Sequence, residues 1–372
     1  MNHLFHLLQL NLLFSDIKIA LLSFLTAFVV AMVIIPPLIR LSGKFQLFDN
    51  PGGRKEHRSP VPTMGGIAIF AGMMTALLLW FPFTGVITQA GFFFSLFALL
   101  ALGMMDDMHD LSAKYKFVIQ LSLALIIALS GIRITSLEGI FGIYELPLLT
   151  QYSLTCIVIV GITNAFNLID GIDGLAGGLG FMSLVMLGIF LGMVKDSQTA
   201  LIAFALAGGV LAFLYFNFNP ARIFMGDTGS LVLGFVIAVL SIRFMQVSVI
   251  HPEPALPPAP VIVMAVVLIP MFDTLRVFAT RIWYGKSPFV ADRIHIHHLL
   301  TNQGFSHHFA SGLICFIHAV ILMEVYWLRW LQPEWVCIIL FLFMLCITLL
   351  LKNFHLLFQK LIPAKERARR IS

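Results

Sequence analysis

The chain has 372 residues, of which 59% are hydrophobic and 11% charged, with a formal net charge of +5 at neutral pH. Ordinary soluble domains are about 45–50% apolar and about 25% charged, so this composition excludes a soluble enzyme, a disordered protein and a secreted disulfide scaffold. At about 20 apolar residues per span, eleven spans would use roughly 220 residues and leave too few for a separate soluble domain.

In chain order, the apolar runs predict spans at 17–39, 64–83, 88–105, 117–130, 151–169, 175–194, 199–218, 230–247, 259–280, 309–330 and 335–351. The expected fold is therefore all-α: one integral membrane domain over 1–372 with about eleven transmembrane helices. The first 16 residues carry no Lys or Arg and so lack the basic start of a signal peptide. An odd number of spans puts the termini on opposite sides. Loops 40–63, 106–116, 170–174, 219–229, 281–308 and the tail 352–372 then share one face, which holds 17 of the 23 Lys and Arg residues. By the positive-inside rule that face is cytoplasmic, with the N-terminus outside and the C-terminus inside. The basic surplus is thus a topology signal, and no nucleic-acid partner is expected. The tail, with Lys360, Lys365, Arg367, Arg369 and Arg370, is expected to lie against anionic membrane lipid. Cys156, Cys315, Cys337 and Cys346 form no CxxC pair, so neither a disulfide framework nor a zinc site is indicated.

The acidic residues sort by type. Nine of the eleven Asp fall at the basic face or in the span end beside it, while five of the seven Glu fall toward the other. Acidic side chains contribute little to topology, so insertion does not explain the bias. Short carboxylates on helix ends suit metal and phosphate chemistry, and helix capping is the plain alternative.

Four segments carry that chemistry. Met104-Met105-Asp106-Asp107-Met108-His109-Asp110 puts three carboxylates where a span meets water, with Asp106 and Asp110 expected on one helical face. A solvated helix end would read the same way. From Asn164 through Asn167, Asp170-Gly171 and Asp173-Gly174, amides and acids recur every three residues, with a glycine after each Asp. Polar groups ending a span are expensive unless they bind something polar, and glycine admits close backbone approach. Phe224-Met225-Gly226-Asp227-Thr228-Gly229-Ser230 places a carboxylate at the start of a helix, a plausible place for a hard cation or phosphate. A loop with Arg281, Lys286, Asp292-Arg293 and His295-Ile296-His297-His298 adds basic and imidazole groups, with His307-His308 following. Arg58 lies in a basic loop before Pro62-Thr63-Met64-Gly65-Gly66. Asp273 lies deeper in its span and reads either as functional or as a structural partner of Arg276 one turn on.

These motifs occur in this order in the polyprenyl-phosphate N-acetylhexosamine-1-phosphate transferases, and the chain resembles that family over roughly 40–310. The His-x-His-His loop, preceded by Ser287-Pro288-Phe289 and Asp292-Arg293, resembles the branch that uses undecaprenyl phosphate and UDP-GlcNAc. The related MurNAc-pentapeptide branch has three consecutive His and shares the Pro62–Gly66 segment.

The resemblance implies transfer of GlcNAc 1-phosphate from UDP-GlcNAc to undecaprenyl phosphate at the cytoplasmic face of a bacterial inner membrane. The products would be undecaprenyl-diphosphate-GlcNAc and UMP, an early lipid-linked step of cell-envelope polysaccharide synthesis. It implies Mg²⁺ as cofactor, with Mn²⁺ as a substitute, and it leaves room for a homodimer. Carried over by position, Asp227 and Asp107 would hold the metal, and Asp106, Asp107 and Lys116 would be catalytic. Asn167, Asp170, Gly171 and Asp173 would surround nucleotide and sugar, with Phe224 stacked on uracil. Arg281, His297 and His298 would join Lys116 on the diphosphate, with His295 and Arg58 also contacting substrate. Another UDP-N-acetylsugar (GalNAc, QuiNAc, FucNAc or MurNAc-pentapeptide) is the near alternative. An ion-coupled transporter is the distant one, and it would call for polar groups at the bilayer midplane.

Overall fold

A computed structural model describes residues 2–45, 48–49, 61–84, 86–218, 220–287 and 294–354, with the side chains of the first helix described from 16 to 41. Arg58, Asp292-Arg293 and the basic tail beyond 354 lie outside the described residues. The chain is a helical bundle. In order, the helices are α1 (Asn2–Phe45), α2 (Gly65–Trp80), α3 (Val86–His109), α4 (Ala113–Leu129), α5 (Leu148–Ile169) and α6 (Leu175–Met193). They continue with α7 (Ser197–Asn217), α8 (Gly226–Ile250), α9 (Ala259–Trp283), α10 (Ile296–Thr301), α11 (His307–Trp327) and α12 (Pro333–Lys352). The strand content among the described residues is one two-residue antiparallel pair, β1 (Phe48–Asp49) with β2 (Val61–Pro62).

Among the described residues nine helices are long and apolar enough to cross a membrane, so the protein is a multi-pass membrane protein. The remaining two predicted spans form α2 and α4, helices of 16 and 17 residues. At 1.5 Å per residue these reach about 24–26 Å, short of a hydrocarbon core of about 30 Å. α2 ends three residues before its predicted end, whereas α4 begins four residues before its predicted start. The N-terminus of α2 is held by backbone pairing to the segment before α8, and α4 starts at Ser112, whose hydroxyl accepts the Tyr115 N–H.

α8 is the axis of the bundle, packing against α2, α3, α5, α6, α7 and α9. Its own Phe235 and Phe244 are fully buried, as are Phe166 of α5 and Phe213 of α7. In lipid, apolar area does not drive helices together, so close contact through small residues does. Ala27, Ala31, Gly72 and Gly208 supply it where α1 seats on α2 and α7.

At the end of α8 distant from its Asp227, three carboxylates are paired off. Asp196 accepts from the Thr199 N–H at the start of α7 and from Arg243 Nε at 2.7 Å. Glu138, in the loop before α5, accepts from Ser248 Oγ and from the Ala259 N–H at the start of α9. Glu334, in the first turn of α12, accepts the Phe141 N–H at 2.9 Å. Glu138 and Glu334 therefore act as a helix cap and a loop tie.

Candidate active site

The ends of α3, α4, α5 and α8 meet at one place. α3 ends at His109, and Asp106 one turn earlier is 5% exposed. Its Oδ1 accepts the Leu111 N–H at 2.8 Å, and its Oδ2 accepts from Lys116 Nζ of α4 at 2.5 Å. The same ammonium reaches Asp227 Oδ2 of α8 at 3.3 Å. Asn167 of α5 donates from Nδ2 to Asp227 Oδ1 and to Ser230 Oγ, each at 2.9 Å. Two carboxylates thus turn one oxygen each toward a shared cation, while the other oxygen of each is held by a neutral N–H donor.

Asp107 has a different task. Its Oδ1 accepts the Asp227 N–H at 2.7 Å, and its Oδ2 accepts the Thr228 N–H at 3.0 Å and the Thr228 hydroxyl at 2.5 Å. An anion at a helix N-terminus satisfies orphan amides and opposes the positive end of the helix dipole. With both oxygens engaged in this way, Asp107 fixes the turn that carries Asp227. Asp110 departs from expectation. The chain leaves the helix before it, with φ at +46°, so Asp110 is exposed and does not share a helical face with Asp106.

The glycines of these motifs are explained by close approach. Gly65 and Gly66 donate their N–H groups to the carbonyls of Phe224 and Met225, and the Phe224 N–H donates to the Pro62 carbonyl. A Cβ on Gly66 would lie 2.2 Å from the Gly229 nitrogen, so any other residue would push α2 away from the first turn of α8. Gly226 sits at φ +69°, where L side chains are strained, and a Cβ there would strike the Asp107 carboxylate. This is what the Pro62–Gly66 segment contributes: it braces the turn on which Asp227 is mounted.

Asp170 follows α5 directly and is half-buried. Burial, and then the negative charges of Asp227, Asp107 and Asp173, push its carboxyl up to about 7. Asp173, 4% exposed, accepts the Ala221 N–H with Oδ2 at 3.1 Å, and its Oδ1 lies 3.8 Å from His307 Nδ1 at the start of α11. It therefore ties the loop after α5 to the segment leading to the half-buried Phe224 and to α11. Asn217, which the sequence reading passed over, does the same work. Its Oδ1 accepts the Gly174 N–H and its Nδ2 donates to the Ile223 carbonyl. The signal available was a buried amide closing α7, just before a Pro-containing turn.

The imidazole loop comes to Gly171. His297 is 1% exposed, and a Cβ on Gly171 would lie 2.5 Å from its Nε2. Neither ring nitrogen of His297 has a hydrogen-bond partner among the described residues. Burial, and then the charge of His298, push His297 down to about 3, so the ring is neutral at physiological pH. The His295 ring lies parallel to it with centroids 5.9 Å apart, and the His298 ring centroid is 4.2 Å from that of His297. Arg281 is buried in the last turn of α9, with its guanidinium over the Phe278 ring. The structure thus brings together Asp106, Asp107, Lys116, Asn167 and Asp227 in one group, and Gly171, His295, His297 and His298 in a second. Asp170 stands between them in the chain.

Among the described residues no group of three or more His, Cys, Asp or Glu side chains is gathered to hold a metal by itself. Mg²⁺ takes one or two carboxylates and fills its remaining positions with water and substrate phosphates. The ammonium of Lys116 between Asp106 and Asp227 shows that two carboxylate oxygens converge on one cation position.

Comparison with known proteins gives relatives for the chain. Residues 89–245 match the family described as glycosyl transferase family 4. A probable undecaprenyl-phosphate N-acetylglucosaminyl 1-phosphate transferase of Bacillus subtilis (strain 168) is 36% identical over 321 residues, covering 81% of this chain and 84% of the relative. The undecaprenyl-phosphate alpha-N-acetylglucosaminyl 1-phosphate transferase of Escherichia coli (strain K12) is 32% identical over 316 residues, covering 82% of this chain and 83% of the relative. The protein of that name from Yersinia pestis is 33% identical over 311 residues, covering 80% and 82%.

Proposed function

This chain belongs to glycosyl transferase family 4, among the polyprenyl-phosphate N-acetylhexosamine-1-phosphate transferases, and we propose that it transfers GlcNAc 1-phosphate from UDP-GlcNAc to undecaprenyl phosphate. A phosphate oxygen of the lipid attacks the sugar-linked phosphorus of UDP-GlcNAc. The bond from that phosphorus to the oxygen bridging the two phosphates breaks, UMP leaves with that oxygen, and undecaprenyl-diphosphate-GlcNAc remains. The observation that carries this reading is the meeting of Asp106, Lys116, Asn167 and Asp227 at the ends of four packed helices. Phosphoryl transfer needs positioning and charge neutralisation more than covalent chemistry, and these groups supply both. A site at helix ends also suits a reaction that joins a lipid phosphate to a soluble nucleotide.

Asp227 and Asp106 are the residues that would hold Mg²⁺; when bound, the ion would offset the negative charge of the diphosphate. Asp107 holds the first turn of α8 so that Asp227 keeps its place. Lys116 is the ammonium available to the transferring phosphate. Asn167 orients Asp227, while Asp170, Gly171 and Asp173 shape the wall for nucleotide and sugar, with Phe224 for uracil. His297, buried with both nitrogens unpaired among the described residues, bears a cost that a substrate hydrogen bond would offset. Arg281 and His298 would meet the diphosphate, and Arg58 completes the set of substrate contacts. We place this face in the cytoplasm of a bacterial inner membrane, because 17 of the 23 basic residues fall in its loops and tail.

The test is UMP release by purified protein supplied with undecaprenyl phosphate, Mg²⁺ and a panel of UDP-sugars. Turnover is expected with UDP-GlcNAc in preference to the other UDP-N-acetylsugars. No turnover with any of them would overturn the reading.

A further inference from the structure

Between α4 and α5, one turn beneath Lys116 and Asn167, lies a buried amide pair. Gln120 of α4 is 3% exposed, and its Oε1 accepts from Nδ2 of Asn164 on α5. The same Asn164 nitrogen donates to the Val160 carbonyl at 2.8 Å. A carbonyl only accepts, so Val160 fixes which end of the Asn164 amide carries the N–H groups, and that end can meet only the oxygen of Gln120. The Gln120 NH₂ group is left over, and among the described residues its buried Nε2 has no partner. A buried N–H donor without an acceptor costs free energy, so this one calls for an acceptor from outside the chain. Register locates it. Gln120 follows Lys116 by four residues and Asn164 precedes Asn167 by three, so on each helix the amide shares a face with a site residue. Counted from the helix ends at the site, the amide pair is the deeper layer, by about 4.5–6 Å. Phe117 and Leu121, on either side of Gln120 along α4, are exposed, so the buried amide lies beside apolar surface open to lipid.

We propose that Gln120 binds the lipid acceptor: its Nε2 donates to a non-attacking oxygen of the polyprenyl phosphate, and Asn164 is the positioning residue that holds the amide in that orientation. The inference rests on the proposed transfer reaction and deepens it by giving the acceptor a contact that the donor does not share. Of the phosphates in that reaction, the diphosphate of the nucleotide sugar arrives from water, whereas the acceptor phosphate arrives from the membrane on an apolar chain. A donor group one turn below Lys116, beside lipid-facing surface, meets the second. The bond runs from a neutral N–H to an anionic oxygen, the stronger class of hydrogen bond, and it satisfies the unpaired donor.

Two substitutions of similar volume separate this role from helix packing. Gln120→Met removes the N–H groups and the acceptor for Asn164 together. Gln120→Glu keeps an oxygen that accepts from Asn164 and puts a second carboxylate oxygen in place of the NH₂ group. UMP release by purified protein is measured against each substrate. Binding is measured separately, as the thermal shift given by undecaprenyl phosphate, by undecaprenol (the same chain without phosphate) or by UDP-GlcNAc alone. In both variants the KM for undecaprenyl phosphate is expected to rise about tenfold or more, with the KM for UDP-GlcNAc within about twofold. The shift given by undecaprenyl phosphate is expected to shrink in both, while the shifts given by undecaprenol and UDP-GlcNAc stay as in wild type. A packing role gives a different pattern: Gln120→Glu close to wild type, and Gln120→Met impaired equally toward both substrates. That pattern, a rise confined to UDP-GlcNAc, an equal loss of the undecaprenol shift, or no change in either variant would overturn the proposal. Absence of any wild-type turnover would instead strike the proposed function, and the undecaprenyl phosphate shift would still decide this inference.

Discussion

At the end of the bundle away from the site, Asp196 has Arg243 and a helix N-terminus, Glu138 has Ser248 and a helix N-terminus, and Glu334 has a loop N–H. At the site end, Asp106, Asp107, Asp170 and Asp227 lie close enough to influence one another, and among the described residues one ammonium, Lys116, bridges two of them. Asp227 and Arg243 sit on the same helix, about 24 Å apart at 1.5 Å per residue. One end uses its carboxylates as fasteners. The other keeps more negative charge than its visible cation balances, which costs stability unless a further cation or a cationic side chain meets it. Within the site end the same contrast recurs: Asp107 is a fastener, while Asp106 and Asp227 each keep one oxygen for a cation.

This contrast is open to attack by substitution, and the largest effect is expected at Asp227. Asp227→Asn is expected to lower the rate of UMP release by about 10³-fold or more, with little change in melting temperature. Asp196→Asn, the matching change at the other end, is expected to leave that rate within about twofold and to lower the melting temperature. Next comes Asp107→Asn, which loosens the first turn of α8. A rate loss of about 10²-fold is expected, together with about 1–2 kcal/mol of stability, whereas a bare metal ligand would cost rate alone. Gly171→Ala should displace the His297 ring and raise the KM for UDP-GlcNAc about tenfold. At the far end, Arg243→Ala should cost about 1 kcal/mol in a thermal melt, since the guanidinium is partly exposed.

The pH dependence of stability separates two groups at the site end by sign. The folded protein holds the Asp170 carboxyl at about 7 against an ordinary value of 3.8, so the folded state keeps a proton that the unfolded chain releases. Its contribution is complete at low pH and is lost as pH rises from about 4 to about 7. Asp170→Asn should flatten that decline in melts of the detergent-solubilised protein. His297 runs the other way. Its value near 3, against 6.5 unfolded, means the unfolded chain takes up a proton first, so stability falls as pH drops through that interval.

The helices were legible because run length and apolarity suffice for a span, and each predicted run has a helix over it. Their ends were less so. α8 begins at Gly226, four residues before the predicted 230, because the orphan amides of its first turn are satisfied by Asp107 from α3, a contact 120 residues away in sequence. Asp106, Lys116, Asn167 and Asp227 were legible as polar groups where polarity is costly. Their division of labour was not, since it depends on which carboxylate oxygen meets which N–H. Asp273 shows both sides: Arg276 one turn on was foreseeable as its partner, whereas His295 lies across a loop that sequence spacing does not close. Asn217 was missed because a lone amide at a helix end looks like an ordinary cap until the two backbone segments it joins are in place.

The central claim is that the carboxylates at the site end, unlike those at the far end, exist to hold a cation with a diphosphate. The most direct measurement is Mn²⁺ binding, followed by electron paramagnetic resonance in the presence of UDP-GlcNAc, for wild type, Asp227→Asn and Asp196→Asn. Wild type and Asp196→Asn are expected to bind Mn²⁺ alike, with Asp227→Asn weaker by about tenfold or more. Binding by Asp227→Asn equal to wild type, or an equal loss in Asp196→Asn, would contradict the account.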